Sequence, residues 1–215
     1  MSPRTAQVQV ARRRAKRARA ARRRRRIGSS LAFAAIVVIG ALILRPLFTS
    51  AVHNLTELPL THADVIRQQA QDKHLDPSLI AGVIYAESKF NDSTSSAGAL
   101  GMMQLLPSTA DFIAQRTGGT RFTTADLATP DINIRYGSWY LRYLLNRYGG
   151  DEVLALAAYN GGMGNVDRWV AEAGAQGRRL QVSDIPFPET RAYVQRVLDA
   201  RRGYRRTYAA QLGLN

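Results

Sequence analysis

On the segment Pro77 to Ser88, the apolar residues Ile80, Val83 and Ile84 are spaced i, i+3, i+4, and the next position of that stripe, i+7, is Glu87. A carboxylate on the buried face of a helix is partly desolvated. Desolvation disfavours the charged form, raises the pKa and keeps a proton available near neutrality, which is what a general acid needs to protonate a leaving group. The plain alternative is a glutamate at a helix end that tilts into water or pairs with an arginine. Other chemistries are poorly supplied. The chain has no cysteine, which excludes thiol nucleophiles, disulfides and thiolate-zinc sites. His53, His62 and His74 are too scattered to form a metal site by spacing, and neither a G-x-x-x-x-G-K-S/T phosphate loop nor a G-x-S-x-G elbow is present. No metal or organic cofactor is expected.

The elements that must position Glu87 read as mostly helical. A first helix is expected from His62 to about His74. Asp76-Pro77 then supplies an N-cap and a first-turn proline for a second, running to about Ser88. Pro107-Ser108-Thr109 opens a helix through about Gln115, and Thr129-Pro130-Asp131 opens a long one that Gly149-Gly150 stops. Asp151 caps a short helix through Asn160. A segment from about Asn165 to Ala173 and an amphipathic helix from about Pro188 to Tyr208 complete the set. Gly, Ser and Thr dominate from Phe90 to Met103 and from Gly118 to Asp126, so these are loops or at most a small sheet.

The 215 residues carry a formal net charge of +14, and its distribution matters more than its size. Thirteen of the 30 Lys and Arg residues lie at or before Arg45, where there is no acid, so the remainder of the chain is nearly neutral at +1. A basic surface on a folded domain would suggest nucleic-acid binding; a basic tail alone does not, and no nucleic-acid partner is expected. Residues 1–26 are this basic head. Ile27 to Leu44 follows as eighteen uncharged residues, enough to cross a hydrocarbon core of ~30 Å at ~1.5 Å per residue. A Lys/Arg cluster stays cytoplasmic, so 27–44 is expected to be a signal-anchor helix with everything after it exported. The cluster can also hold anionic lipid headgroups. Thr49-Ser50-Ala51 leaves a cleaved, secreted form as the alternative. Residues 45–60 read as a tether of at most about 50 Å, at ~3.3 Å per residue, leaving 61–215 as one globular domain.

The runs AESKF around Glu87, AGALGMMQLLPSTA, AAYNGGMGNVDRW and IPFPETRAYV occur in series. In this order and spacing the chain resembles the Slt-type catalytic domain of lytic transglycosylases, a branch of the lysozyme-like superfamily, over roughly Leu60 to Tyr208. The resemblance implies a mainly α, lysozyme-like (α+β) fold. It also implies an enzyme that cuts the β-1,4 bond between N-acetylmuramic acid and N-acetylglucosamine in peptidoglycan, leaving 1,6-anhydromuramic ends. The glutamate of the family's ES motif falls on Glu87, implying acid and then base, and Ser88 matches its partner, implying a residue that helps position substrate or the acid. The family's GLMQ appears as Gly101-Met102-Met103-Gln104, with Met102 in place of leucine, and implies Gln104 as a substrate contact. AYNAG appears as Ala158-Tyr159-Asn160-Gly161-Gly162 and implies Tyr159 and Asn160; Glu189 and Tyr193 match positions that line the glycan cleft. A hydrolytic muramidase on the same fold, with Glu189, Asp92 or Asp184 as second carboxylate, is the competing enzyme. A catalytically idle glycan-binding scaffold is the competing non-enzyme.

Overall fold

The computed structural model describes residues 58–119 and 122–214. The expected signal-anchor at 27–44, the basic head and most of the tether lie outside the described residues. Seven α-helices are present among those described: α1 (Ala63–Lys73), α2 (Pro77–Ser88), α3 (Pro107–Thr117), α4 (Pro130–Arg147), α5 (Glu152–Gly161), α6 (Met163–Ala175) and α7 (Pro188–Thr207), with short 3-10 turns at Thr124–Ala128 and Val182–Asp184. No helix of the described residues is long and apolar enough to cross a membrane.

The expected helices are all found, with ends displaced by a few residues. Helix α3 runs on to Thr117 because Gly118 provides the left-handed cap, and α6 begins at Met163 because Gly162, at φ 83°, releases the chain from α5. Among the described residues, neither loop region forms a sheet. Between Phe90 and Met103 there are only bridges, Thr94 with Leu100 and Leu100 with Leu105. Part of the second loop is the 3-10 turn Thr124–Ala128, closed by a reciprocal bond pair between Thr123 and Asp126.

Helix α2 is the central element. Asp76 caps it, accepting from the Ser78 amide at 2.9 Å, and Ser78 to Ile84 are all buried. Its most extensive partner is α7, whose Tyr193, Val194, Val197, Ala200 and Tyr204 form the facing stripe. Gly82 permits the approach, since a Cβ there would stand 2.9 Å from the Val197 carbonyl oxygen. The chain just before α1 is seated on the same helix: Tyr204 donates to the Pro59 carbonyl at 2.6 Å and Tyr208 to that of Leu58 at 2.7 Å.

A charge cluster fastens the N-terminus of α2 to α7. Asp76 Oδ2 accepts from Arg201 Nη2 at 2.8 Å and Arg205 Nη1 at 2.6 Å, and Arg201 also pairs with Glu152. Burial pushes the Asp76 carboxyl up, but hydrogen bonds from Ser78 and Arg201 together hold it below the usual carboxylate range. A depressed carboxylate stabilises the fold at pH values above its unfolded pKa and stops doing so as acid carries the pH through the lowered folded value. Asp76→Ala, which removes both the cap and the arginine partner, is therefore expected to cost about 3 kcal/mol at pH 7. Urea unfolding should show that deficit shrinking as the pH approaches 2; an undiminished deficit in acid contradicts the assignment.

Candidate active site

The site is assembled where the C-terminal end of α2 meets the turn at 100–105, the end of α5 and the start of α7. Glu87 lies on the last turn of α2. Burial pushes its carboxyl up to about 7, while the Tyr193 hydroxyl and the Arg196 charge pull it back in part. Tyr193 itself is buried, and its hydroxyl forms no well-made hydrogen bond to any protein group. It stands beside the Glu87 carboxyl, and burial first, with the carboxylate's charge adding to it, raises the Tyr193 pKa well above the ordinary phenol value. Tyr159, from the last turn of α5, also senses Glu87, and burial together with that charge raises its pKa well above the ordinary phenol value. Both phenols thus keep their protons whichever state Glu87 adopts.

The turn from Leu100 to Leu105 forms the adjoining wall. Leu100 and Leu105 exchange both backbone hydrogen bonds, at 2.9 and 3.0 Å, which closes a tight reversal through Gly101 and Gln104. Gly101 has φ 70°, and a Cβ there would lie 2.2 Å from Asn133 Nδ2, so glycine is required twice over. Gln104 holds φ 46°, unusual for a residue with a side chain. Its side-chain amide locks the reversal, Nε2 donating to the carbonyls of Gly101 at 2.7 Å and Ser93 at 2.8 Å. Met102 and Met103 are core residues, and Gly137 makes room for the Met103 side chain.

The residues singled out in the sequence divide into three groups. Glu87, Tyr159 and Tyr193 come together, Tyr193 buried and Glu87 and Tyr159 half-buried. Ser88 and Gln104 are neighbours of that trio whose donors are spent inside the protein: Ser88 Oγ donates to the Met102 carbonyl at 2.8 Å, pinning the turn to α2. Asn160 and Glu189 sit on the rim, both exposed. Asn160 Oδ1 accepts from Thr190 Oγ1 at 2.8 Å, which ties the end of α5 to the start of α7. Glu189 lies one turn before Tyr193 on α7, in open solvent rather than beside the Glu87 carboxyl.

Asn133 was absent from the sequence-based set, yet it organises the turn. Fully buried on α4, it accepts from the Met103 amide at 2.8 Å and donates to the carbonyls of Leu100 at 2.8 Å and Leu127 at 3.0 Å. The turn so held directs the Met103 carbonyl at Tyr159, whose hydroxyl donates to it at 3.0 Å. Asn133, Gly101 and Met103 thus fix the phenol that faces Glu87. No group of three or more His, Asp or Glu side chains able to hold a metal gathers among the described residues.

The described hollows lie elsewhere. One of about 490 Å³ is lined by Tyr148, Asp151, Leu154, Val170 and Arg179, at the opposite end of α5 from Tyr159. None of these hollows is lined by Glu87, Tyr159 or Tyr193.

Residues 64–182 match the model of the Transglycosylase SLT domain. The chain belongs to this family. The matched stretch of the SLT domain holds Glu87, Ser88, Gln104, Tyr159 and Asn160, whereas Glu189 and Tyr193 fall on α7 beyond it. The chain is 32% identical over 149 residues to the soluble lytic murein transglycosylase of Escherichia coli, covering 68% of this chain and 23% of that one. It is 30% identical over 168 residues to the membrane-bound lytic murein transglycosylase C of Edwardsiella ictaluri, covering 67% and 46%. Among solved structures, it is similar to an inactive Glu-to-Gln mutant of the lytic transglycosylase Slt from Pseudomonas aeruginosa, with a TM-score of 0.64, 34% identity and coverage of 71% and 25%. The chain spans about a quarter of the length of the soluble relatives it matches.

Proposed function

We propose that this protein is a peptidoglycan lytic transglycosylase that uses Glu87 alone as acid and then base. The observation that carries this reading is a single carboxyl, raised to about 7, set between two phenols that stay protonated, with no second carboxyl in the cluster. Hydrolytic glycosidases employ two carboxyl groups, one to protonate the leaving oxygen and one to act as nucleophile or to activate water. Here the substrate replaces the second. Glu87 protonates the glycosidic oxygen between N-acetylmuramic acid and N-acetylglucosamine, and the muramoyl N-acetyl oxygen stabilises the oxocarbenium-like centre. Glu87 then takes the proton from the C6 hydroxyl as that oxygen closes the 1,6-anhydro ring. The nucleophile is held at high effective concentration by the sugar itself.

A carboxyl poised near neutrality serves both halves, being protonated often enough to donate and basic enough to recover the proton. The Tyr193 hydroxyl, beside the Glu87 carboxyl, supports the carboxylate formed midway. Ser88, Gln104 and Tyr159 shape the groove through the turn they bind, and Asn160 and Glu189 meet the glycan at its rim. That the Pseudomonas relative is inactive as a Glu-to-Gln mutant supports giving one glutamate this double duty.

The sequence pattern supports the rest of the architecture. Residues 1–26 form a cytoplasmic basic segment, 27–44 a single-pass anchor, 45–60 a tether, and the domain from 61 onward works on the outer side of the membrane. A membrane-bound relative is consistent with that placement.

Digestion of purified peptidoglycan with product masses read is the deciding experiment. Anhydro-ended muropeptides are expected. Reducing ends, heavier by one water, would transfer the site to a hydrolytic muramidase, and intact sacculi would leave only a glycan-binding role.

A further inference from the structure

Three large apolar side chains stand exposed among the described residues, Leu106, Val170 and Phe187, and Phe187 is the one aromatic among them, 42% exposed. Its position is unusual. Phe187 is the N-cap of α7, the longest helix, and provides no side-chain cap. Ser, Thr, Asp and Asn are strongly preferred there because their oxygens accept from the free amides of the first turn. An exposed phenylalanine at that position forgoes local stability on both counts, and local rules are broken most often where a residue is used for something else.

Its surroundings hold the ring in place. Pro186 and Pro188 flank it, which restricts the backbone on both sides. Ile185 is fully buried, and Arg191 Nε donates to its carbonyl at 3.2 Å. The buried Trp169 meets the Phe187 ring edge to face, with centroids 4.9 Å apart and planes at 81°. Trp169 in turn closes on the tip of α5, since a Cβ at Gly161 would lie 3.5 Å from its ring and 3.0 Å from Thr190 Oγ1. Phe187 is therefore a rigid, braced aromatic adjoining the Asn160–Thr190 link and two residues from Glu189.

We propose that Phe187 is a sugar-stacking platform of the groove, its ring taking the C–H face of an N-acetylated pyranose in the bound glycan strand. The axial C–H bonds of such a ring carry partial positive charge and suit the negative face of an aromatic quadrupole. A platform that is already immobile loses little freedom on binding. Phe187 precedes Tyr193 by six residues, about 9 Å of helical rise, so the stacked sugar is not the one undergoing chemistry but a unit farther along the strand. The inference rests on the glycan-cleaving reading and assigns to this chain a residue that grips polymer rather than reacting with it.

Kinetics on soluble, uncrosslinked peptidoglycan strands test it. Phe187→Asn is expected to raise KM roughly tenfold, the loss of about 1.4 kcal/mol of binding, with the effect falling on KM rather than kcat. Because asparagine caps the helix, the unfolding midpoint should hold or rise. Phe187→Tyr should restore KM to within about twofold, a difference well under 1 kcal/mol. An unchanged KM in Phe187→Asn, or a KM rise accompanied by a lower unfolding midpoint, overturns the platform. If the unaltered protein releases no muropeptide at all, the glycan-cleaving reading fails instead, and binding of the same strands still reports on Phe187.

Discussion

Glu87→Gln is expected to lower muropeptide release roughly a thousandfold, the usual scale of a lost general acid, while leaving glycan binding nearly intact. The same substitution should also make the protein more stable above neutrality. Burial lifts the Glu87 carboxyl from 4.5 to about 7, so the folded state retains a proton that the unfolded chain releases across that interval. Stability therefore falls as pH rises from about 4.5 to about 7 and is level beyond, with a total near 3 kcal/mol. Glutamine carries no charge to desolvate. Its unfolding free energy should match the parent's at pH 4 and exceed it by about 3 kcal/mol at pH 8. Turnover within tenfold of the parent would remove Glu87 from the chemistry, and equal stability at pH 8 would remove the buried carboxyl.

The same pKa sets the direction of the pH–rate profile. The free enzyme must begin each cycle protonated, so kcat/KM should decline above about pH 7 with a single ionisation. A second catalytic carboxylate would add an acid limb near the ordinary carboxylate range. Glu189 does not lie in the buried cluster and is not expected to supply one.

Much of this was legible in the sequence because it followed from period and punctuation. Asp76-Pro77, Pro107, Pro130 and Asp151 mark helix starts, and each does so in the structure. The i+7 position of the α2 stripe located Glu87, and its removal from water follows from that spacing. What the sequence withheld is where the polar donors end up. The Ser88 and Gln104 donors bind the turn, a choice decided by contacts distant in the chain. Asn133 could have been found by the reasoning that found Glu87, since it sits on the stripe with Gly137, Leu141 and Leu144 on α4. A polar residue on a buried face is informative in either helix.

Asn133 also yields the severest structural test. Its three hydrogen bonds serve the Met103 amide and the carbonyls of Leu100 and Leu127. Asn133→Ala leaves the Met103 amide and the Leu127 carbonyl unmet, while the Leu100 carbonyl keeps the Leu105 amide; at about 1–3 kcal/mol for each buried group the deficit should be near 4 kcal/mol. Asn133→Asp is more instructive because its shape is almost unchanged. The Met103 amide keeps its acceptor, but a carboxylate oxygen now opposes the carbonyls of Leu100 and Leu127 where an amide once donated. The fold is expected to lose more than about 2 kcal/mol at pH 7 from a substitution that opens no cavity. Protonation restores one donor, so part of the loss should return in acid. Activity should fall with stability in both variants, because the Met103 carbonyl that anchors Tyr159 beside Glu87 belongs to the turn being released. Urea unfolding of Asn133→Asp within about 0.5 kcal/mol of the parent, the range of an ordinary surface change, would mean that the turn holds itself and that Asn133 is only a passenger in the core.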